Sequence, residues 1–321
     1  MTIRSVFALA LLLSAAAVQA QTFPAKPLRV IVPQPPGGGF DLVARTLAEP
    51  FAAQLGQPVV VENRPGGGTV VGTDIVAKAE PDGHTILLGA SANLAFSNGL
   101  YRSLPYNPKT DFVPVGLAAG TPILIVARKD FPAKDLREFV DYLKKNRDRV
   151  KQAHGGIGAS SHMACLLFTG AIGVKPTLVA YRGTGPAMND LVGGHVDFFC
   201  EQVVSVAPQI AAGAIKAYAV SSSERLPTLP GVPTAKEDGL DYQMSIWAGI
   251  FAPKGTPAEA VNKLAAALDK ALDDPAVMKR LADLGGSIAA KQELTPESFN
   301  PLVKAEIALW SPILKAAAVT Q

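Results

Sequence analysis

Cysteine is nearly absent from this chain: Cys165 and Cys200 are the two in 321 residues. Neither has the paired spacing of a zinc site. In an oxidising compartment they could bridge; otherwise they are two buried thiols acting as small apolar groups, and sequence separation alone does not decide between these. Charge is also sparse and balanced, with 18% charged residues and a net charge of +3, so the footprint of a nucleic-acid binder is missing. The basic run Lys144–Arg149 closes a predicted helix, where cations suit the dipole. Beyond residue 20 no apolar stretch approaches the ~20 residues that span a bilayer, so any membrane role works through a partner. Histidine is limited to His84, His154, His162 and His195, without the His-Glu-x-x-His spacing of a zinc hydrolase. No Gly-x-Ser-x-Gly elbow occurs. These absences argue against an enzyme and against a metal or other cofactor.

What is present begins with an apparent leader over residues 1–20. Arg4 supplies the charged start, residues 6–18 the apolar run, and Val18-Gln19-Ala20 a small-residue cleavage site. Cleavage after Ala20 is expected to leave an exported, soluble mature chain. Its 48% hydrophobic content suits a globular protein with a substantial core.

From residue 28 to 89 apolar strands (28–32, 59–62, 85–89) alternate with helices (41–55, about 70–79), the pattern of a parallel sheet covered on both faces. The alternation restarts after Pro122, with strands over 123–128, 150–153, 177–181, 196–200 and 215–221. A Pro-rich passage over 225–233 then leads to a strand over 245–251 and helices to the C-terminus. The chain thus divides into a discontinuous first lobe, residues 21–122 plus 226–321, and a second lobe, residues 123–225. The fold class is α/β: each lobe is a mostly parallel sheet flanked by helices, with a hinge between lobes. The cleft between them is the natural seat of a small ligand.

The stretch from Val30 to Arg45 organises the rest. An apolar strand runs into Pro33, Pro35 and Pro36, then Gly37, Gly38 and Gly39, then a helix that Asp41 is expected to cap. Glycines permit a tight turn with bare N–H groups, and a helix start carries partial positive charge, so the junction suits an anion. It is neither a dinucleotide fingerprint nor a P-loop. The second lobe repeats the device: Gly158 precedes a helix opening at Ser160, Ser161 and His162. Ser91 and Asn93 follow the third strand. Arg182 and Thr184 follow the 177–181 strand, with Arg182 either clasping an acid group or pairing with solvent. Glu201, after the strand ending at Cys200, would orient an amine or hydroxyl or serve as a structural acceptor. Two other classes remain open on these residues: a secreted hydrolase using Ser160 or Ser161, and a sensor that passes its closed form to a signalling protein.

Several segments are similar in order and spacing to the Bug-type receptors of tripartite tricarboxylate transporters. They are Lys26–Pro33, Pro36–Asp41 with Ala44-Arg45, Val61–Gly66, Pro81-Asp82-Gly83, Tyr181–Ala187 and Trp247-Ala248-Gly249. The resemblance runs from about residue 23 to the C-terminus. It implies a two-lobed periplasmic binding protein of the type II-like, hinge-closing kind. Such a monomer would capture a small organic acid and present it to integral membrane permease subunits, with no role for nucleic acid. In that family the loops matching Pro36–Asp41 and Gly158–His162 contact the ligand, partly through water. Family ligands range over di- and tricarboxylates, acidic amino acids and aromatic acids. Where many members carry Phe-Asp-Asn, this chain has Cys200-Glu201-Gln202.

Overall fold

The computed structural model describes residues 23–283, 286 and 295–316; the leader expected over residues 1–20 lies outside them. Strand β1 (Leu28–Val32) buries all but Arg29, as an apolar strand covered on both faces must. It pairs in parallel with β2 (Val59–Asn63) and β3 (Thr85–Ala90). Helix α1 (Gly39–Leu55) joins β1 to β2, and α2 (Val70–Ala77) joins β2 to β3.

The next strand, β4 (Phe112–Arg128), corrects the sequence reading. It is a single 17-residue strand, whereas residues 112–122 look broken because Pro114, Gly116, Gly120 and Pro122 interrupt them. The interruptions are absorbed as register shifts between Pro114 and Gly116 and between Leu117 and Ala119, the usual place for such residues in a sheet. Pro122 sits at a handover. Pairing with β9 (Ser245–Pro253) ends at Pro122, and pairing with β7 (Phe198–Gln202) begins at Ile123. A residue without an N–H costs least where the partner strand changes.

Beyond that point come α3 (Leu136–Asn146), β5 (Lys151–His154), α4 (Ser160–Ile172), β6 (Thr177–Ala180) and α5 (Thr184–Val192). After β7 follow α6 (Val203–Ala211), which the sequence reading passes over, and β8 (Ile215–Val220). Strand β5 is parallel to β6 and β7, while β4 runs antiparallel to β7, β8 and β9. The parallel arrangement therefore holds for the outer strands, and the strands at the seam are antiparallel. Helices α7 (Ala258–Leu272), α8 (Pro275–Asp283) and α9 (Pro296–Ala316) complete the described chain.

Cys165 on α4 and Cys200 on β7 form a fully buried disulfide, with Cα atoms 5.2 Å apart. The bridge ties the helix behind the second glycine loop to the strand that carries Glu201. Closing a loop with a sequence separation of 35 removes unfolded-chain entropy equivalent to about 4 kcal/mol. Urea unfolding of the Cys165→Ala/Cys200→Ala variant should show a loss of that order; an unchanged midpoint would show the bridge to be energetically idle.

Candidate functional site

Both lobes build their loop to one recipe. Gly37 and Gly158 each adopt φ +82°, a region open to glycine but strained for other residues. The Gly37 N–H donates to Asp41 Oδ2 at 2.9 Å, and the Gly158 N–H donates to His162 Nδ1 at 3.2 Å. In each case a side chain in the first helical turn pins the glycine four residues back. Asp41 is therefore not the expected N-cap. Helix α1 begins at Gly39 with Gly38 in the cap position, so Asp41 is the third helical residue and reaches backwards.

Asp41 is further held by Arg45 Nε at 2.9 Å and by Asn63 Nδ2 at 2.9 Å. Burial alone would raise its pKa, but hydrogen bonds from Arg45, Gly37 and Asn63 outweigh that and hold it below the usual carboxylate range. His162 is buried and stacked on His154, with centroids 4.5 Å apart. Burial, with His154 adding to it, lowers its pKa to about 4, so Nδ1 is free to accept the Gly158 N–H.

These two helix starts open on a single cavity of about 650 Å³. Gly38, Ser160, Ser161, Arg182, Thr184 and Glu201 line it. Pro36, Gly37, Gly39, Asp41, Gly158 and His162 do not, standing instead in the loops that shape its walls. Ser91 and Asn93 are also outside the lining, in a buried π-helical segment, Ser91–Phe96. Asn93 accepts the Ala90 N–H at 2.8 Å and donates to Thr73 Oγ1 at 2.9 Å; Ser91 Oγ accepts the Trp247 N–H at 3.3 Å. Their polar atoms join strands and helices of the first lobe.

The lining also includes residues the sequence reading left out. The loop Gly66-Gly67-Gly68-Thr69 precedes α2 and forms a third wall. Its signal was present, since strand, glycines and helix repeat the order seen at Gly37–Gly39. Thr69 has φ 94°, a strained setting for a β-branched residue and one that concentrates at functional sites. The Oγ atoms of Thr69 and Ser160 are buried with no hydrogen-bond partner among the described residues. A buried hydroxyl without a partner is expensive, and both residues belong to the cavity lining. Gln34, Gly155, Gly156 and Gln202 complete the polar lining.

The walls meet across the cleft. A methyl group on Gly39 would lie 2.5 Å from Gln202 Oε1, and one on Gly183 would lie 2.8 Å from Pro35 Cγ. Gly68 abuts the Ile157 carbonyl and the Tyr101 hydroxyl too closely for any side chain. Close approach disfavours a side chain at all three positions, and at Gly68 and Gly183 a positive φ adds to it.

Arg182 is exposed at the mouth and has no ion pair or side-chain hydrogen bond among the described residues. Among the described residues it is the one cation lining the cavity, and Glu201 the one acid. Glu201 and Gln202 are the last two residues of β7, not loop residues beyond it. Glu201 Oε1 accepts the Gln202 N–H and Oε2 accepts the Thr184 hydroxyl, each at 2.8 Å. Burial raises its pKa to about 7 despite those bonds. As for nucleophiles, Ser161 Oγ accepts the Gly155 N–H at 3.0 Å and His162 Nδ1 is occupied by Gly158, so both are committed to their loops.

An α/β frame whose two halves meet over a donor-lined cleft is the architecture of a periplasmic solute-binding protein. The chain belongs to the tripartite tricarboxylate transporter receptor family, whose model matches residues 43–319. Among its relatives, BugT of Bordetella pertussis is 36% identical over 303 residues, covering 94% of this chain and 92% of that one. Among solved structures, MatC from Rhodopseudomonas palustris with bound malate is 42% identical with a TM-score of 0.87, covering 91% of this chain and 100% of that one. The periplasmic binding protein BugD is 42% identical with a TM-score of 0.89, over 93% and 99%. An R. palustris protein solved with adipate is 30% identical with a TM-score of 0.87, over 92% and 98%.

Glu201 generates a pH prediction. Its folded pKa of about 7 lies above the ordinary 4.5, so the stability it contributes is fully present below the ordinary value. That contribution is lost as pH rises through the folded value. The buried histidines act in the opposite sense, so the comparison needs a variant. Relative to Glu201→Gln, the ligand-free protein should lose about 3 kcal/mol of unfolding free energy between about pH 4 and pH 8. Parallel curves in urea would show that Glu201 titrates normally.

Proposed function

We propose that this protein is a periplasmic receptor that captures a small organic carboxylate between its lobes and delivers it to the membrane permease subunits of a tripartite tricarboxylate transporter. One observation carries this reading. Helix starts from both lobes, with the unpartnered hydroxyls of Ser160 and Thr69 beside them, converge on one cavity. First-turn N–H groups lack partners within their helix and attract anions. Arg182 supplies the positive charge at the mouth.

The reading extends to how the receptor works. The lobes divide as the sequence suggests, at 122/123 and near 225, with residues 1–20 acting as a cleaved leader. Closure about the β4 and β9 crossings brings Gly39 to Gln202 and Gly183 to Pro35, and so presents a surface the permease distinguishes from the open form. Ligands bound by MatC and by the adipate-bound relative support a carboxylate, and membership of the transporter receptor family supports the permease as partner.

Thermal unfolding with a panel of mono-, di- and tricarboxylates tests the reading directly. An acid present at a hundred times its Kd should raise Tm by about 5 °C, and its amide should not. Ser160→Ala should weaken that acid roughly tenfold by removing one hydroxyl donor. No shift with any acid at millimolar concentration would overturn the receptor assignment.

A further inference from the structure

A cleft built to hold an anion has reason to avoid carboxylates, yet Glu201 lines it while only 2% exposed. The other polar side chains there are Arg182, Ser160, Ser161, Thr69, the amides Gln34 and Gln202, and Tyr181, whose hydroxyl donates to Asp190. Glu201 is held in place, one oxygen on the Gln202 N–H and the other on the Thr184 hydroxyl, each at 2.8 Å. Each oxygen keeps a second lone pair. The Thr184 hydroxyl also lies close to the first-lobe loop: a methyl on Gly38 would come within 4.0 Å of it. The Thr184–Glu201 pair is therefore adjacent to the start of α1.

We propose that Thr184 and Glu201 form a specificity pair that selects carboxylic acids bearing a hydroxyl group over the same acids without it. A hydroxyl both donates and accepts, and the pair offers the matching acceptor and donor. Burial raises the Glu201 pKa to about 7, so below that pH most of the carboxyl is neutral and its repulsion of the ligand's acid groups is reduced. An unhydroxylated chain would leave the pair facing methylene, and a site built for a hydroxyl rejects such an analogue. This inference rests on the carboxylate-receptor reading and narrows its ligand class.

The test compares malate with succinate by titration calorimetry on the full mature chain at about pH 6.5, within the range where burial keeps Glu201 mainly protonated. Malate should bind at least about tenfold more tightly than succinate. Thr184→Val and Glu201→Met should each bring that ratio close to unity. Thr184→Val preserves shape, so it decides the matter if the glutamate variant does not fold. Equal binding of the two acids by the wild type, or a ratio unchanged in Thr184→Val, would overturn the specificity pair and leave the receptor reading standing. Failure of every acid in the wider panel would take both down.

Discussion

The site depends on a short hydrogen bond made twice. In each lobe a glycine in the left-handed region donates its N–H to a side chain four residues on, Asp41 in the first lobe and His162 in the second. That bond fixes where the strand stops and where the helix begins. The two pins are chemically unlike, one an anion in an Arg45–Asn63 network and the other a buried neutral imidazole. What they share is an acceptor at the same distance along the chain. Their equivalence is geometric, and it explains why two loops of different composition present the same bare backbone to one cavity.

Bare amides matter only if two lobes bring them face to face, and β4 provides for that. A strand that pairs with β9 up to Pro122 and with β7 and β8 beyond it belongs to both sheets. The lobes are held by continuous backbone, so the approach of Gly39 to Gln202 needs no separate docking interface. The buried disulfide works on the second-lobe side of this arrangement. It locks α4 to β7, so the Ser160 end of the cavity and the Glu201 end move as one body.

Much of this was legible in the sequence, and the parts that were not have physical reasons. The βα alternation, the two glycine loops and six cavity residues follow from hydrophobic period and turn chemistry. The N-terminal half of β4 does not, because proline and glycine read as breakers unless one knows that bulges and a change of partner absorb them. The role of Asp41 was misread by two residues of helix boundary. Glycine is a poor helix former, so the helix was started at the first good residue, and a cap and a backward pin use the same side chain. Asn93 shows the same ambiguity in another form. A polar residue after a strand can face a ligand or close a π-helical turn, and only packing against Thr73 distinguishes them. The wall at Gly66–Thr69 has the same strand, glycine and helix order as the other two loops, so it is legible in the sequence as well.

Backbone amides cannot discriminate finely, since every carboxylate looks alike to an N–H at a helix start. Selectivity therefore falls to polar side chains of the lining, among them Arg182 at its mouth, the hydroxyls of Thr69, Ser160 and Ser161, the amides of Gln34 and Gln202, and the Thr184–Glu201 pair. None of these belongs to the apolar clusters that hold the lobes together. The glycine walls are the reverse case. They are fixed by left-handed angles and by contacts that admit no side chain, so they are bound to the fold. A receptor built this way can change its ligand by exchanging lining residues while its anion seat stays as the backbone dictates. The cost of a mismatch is local: a buried polar group left without a partner weakens one ligand without unfolding the protein.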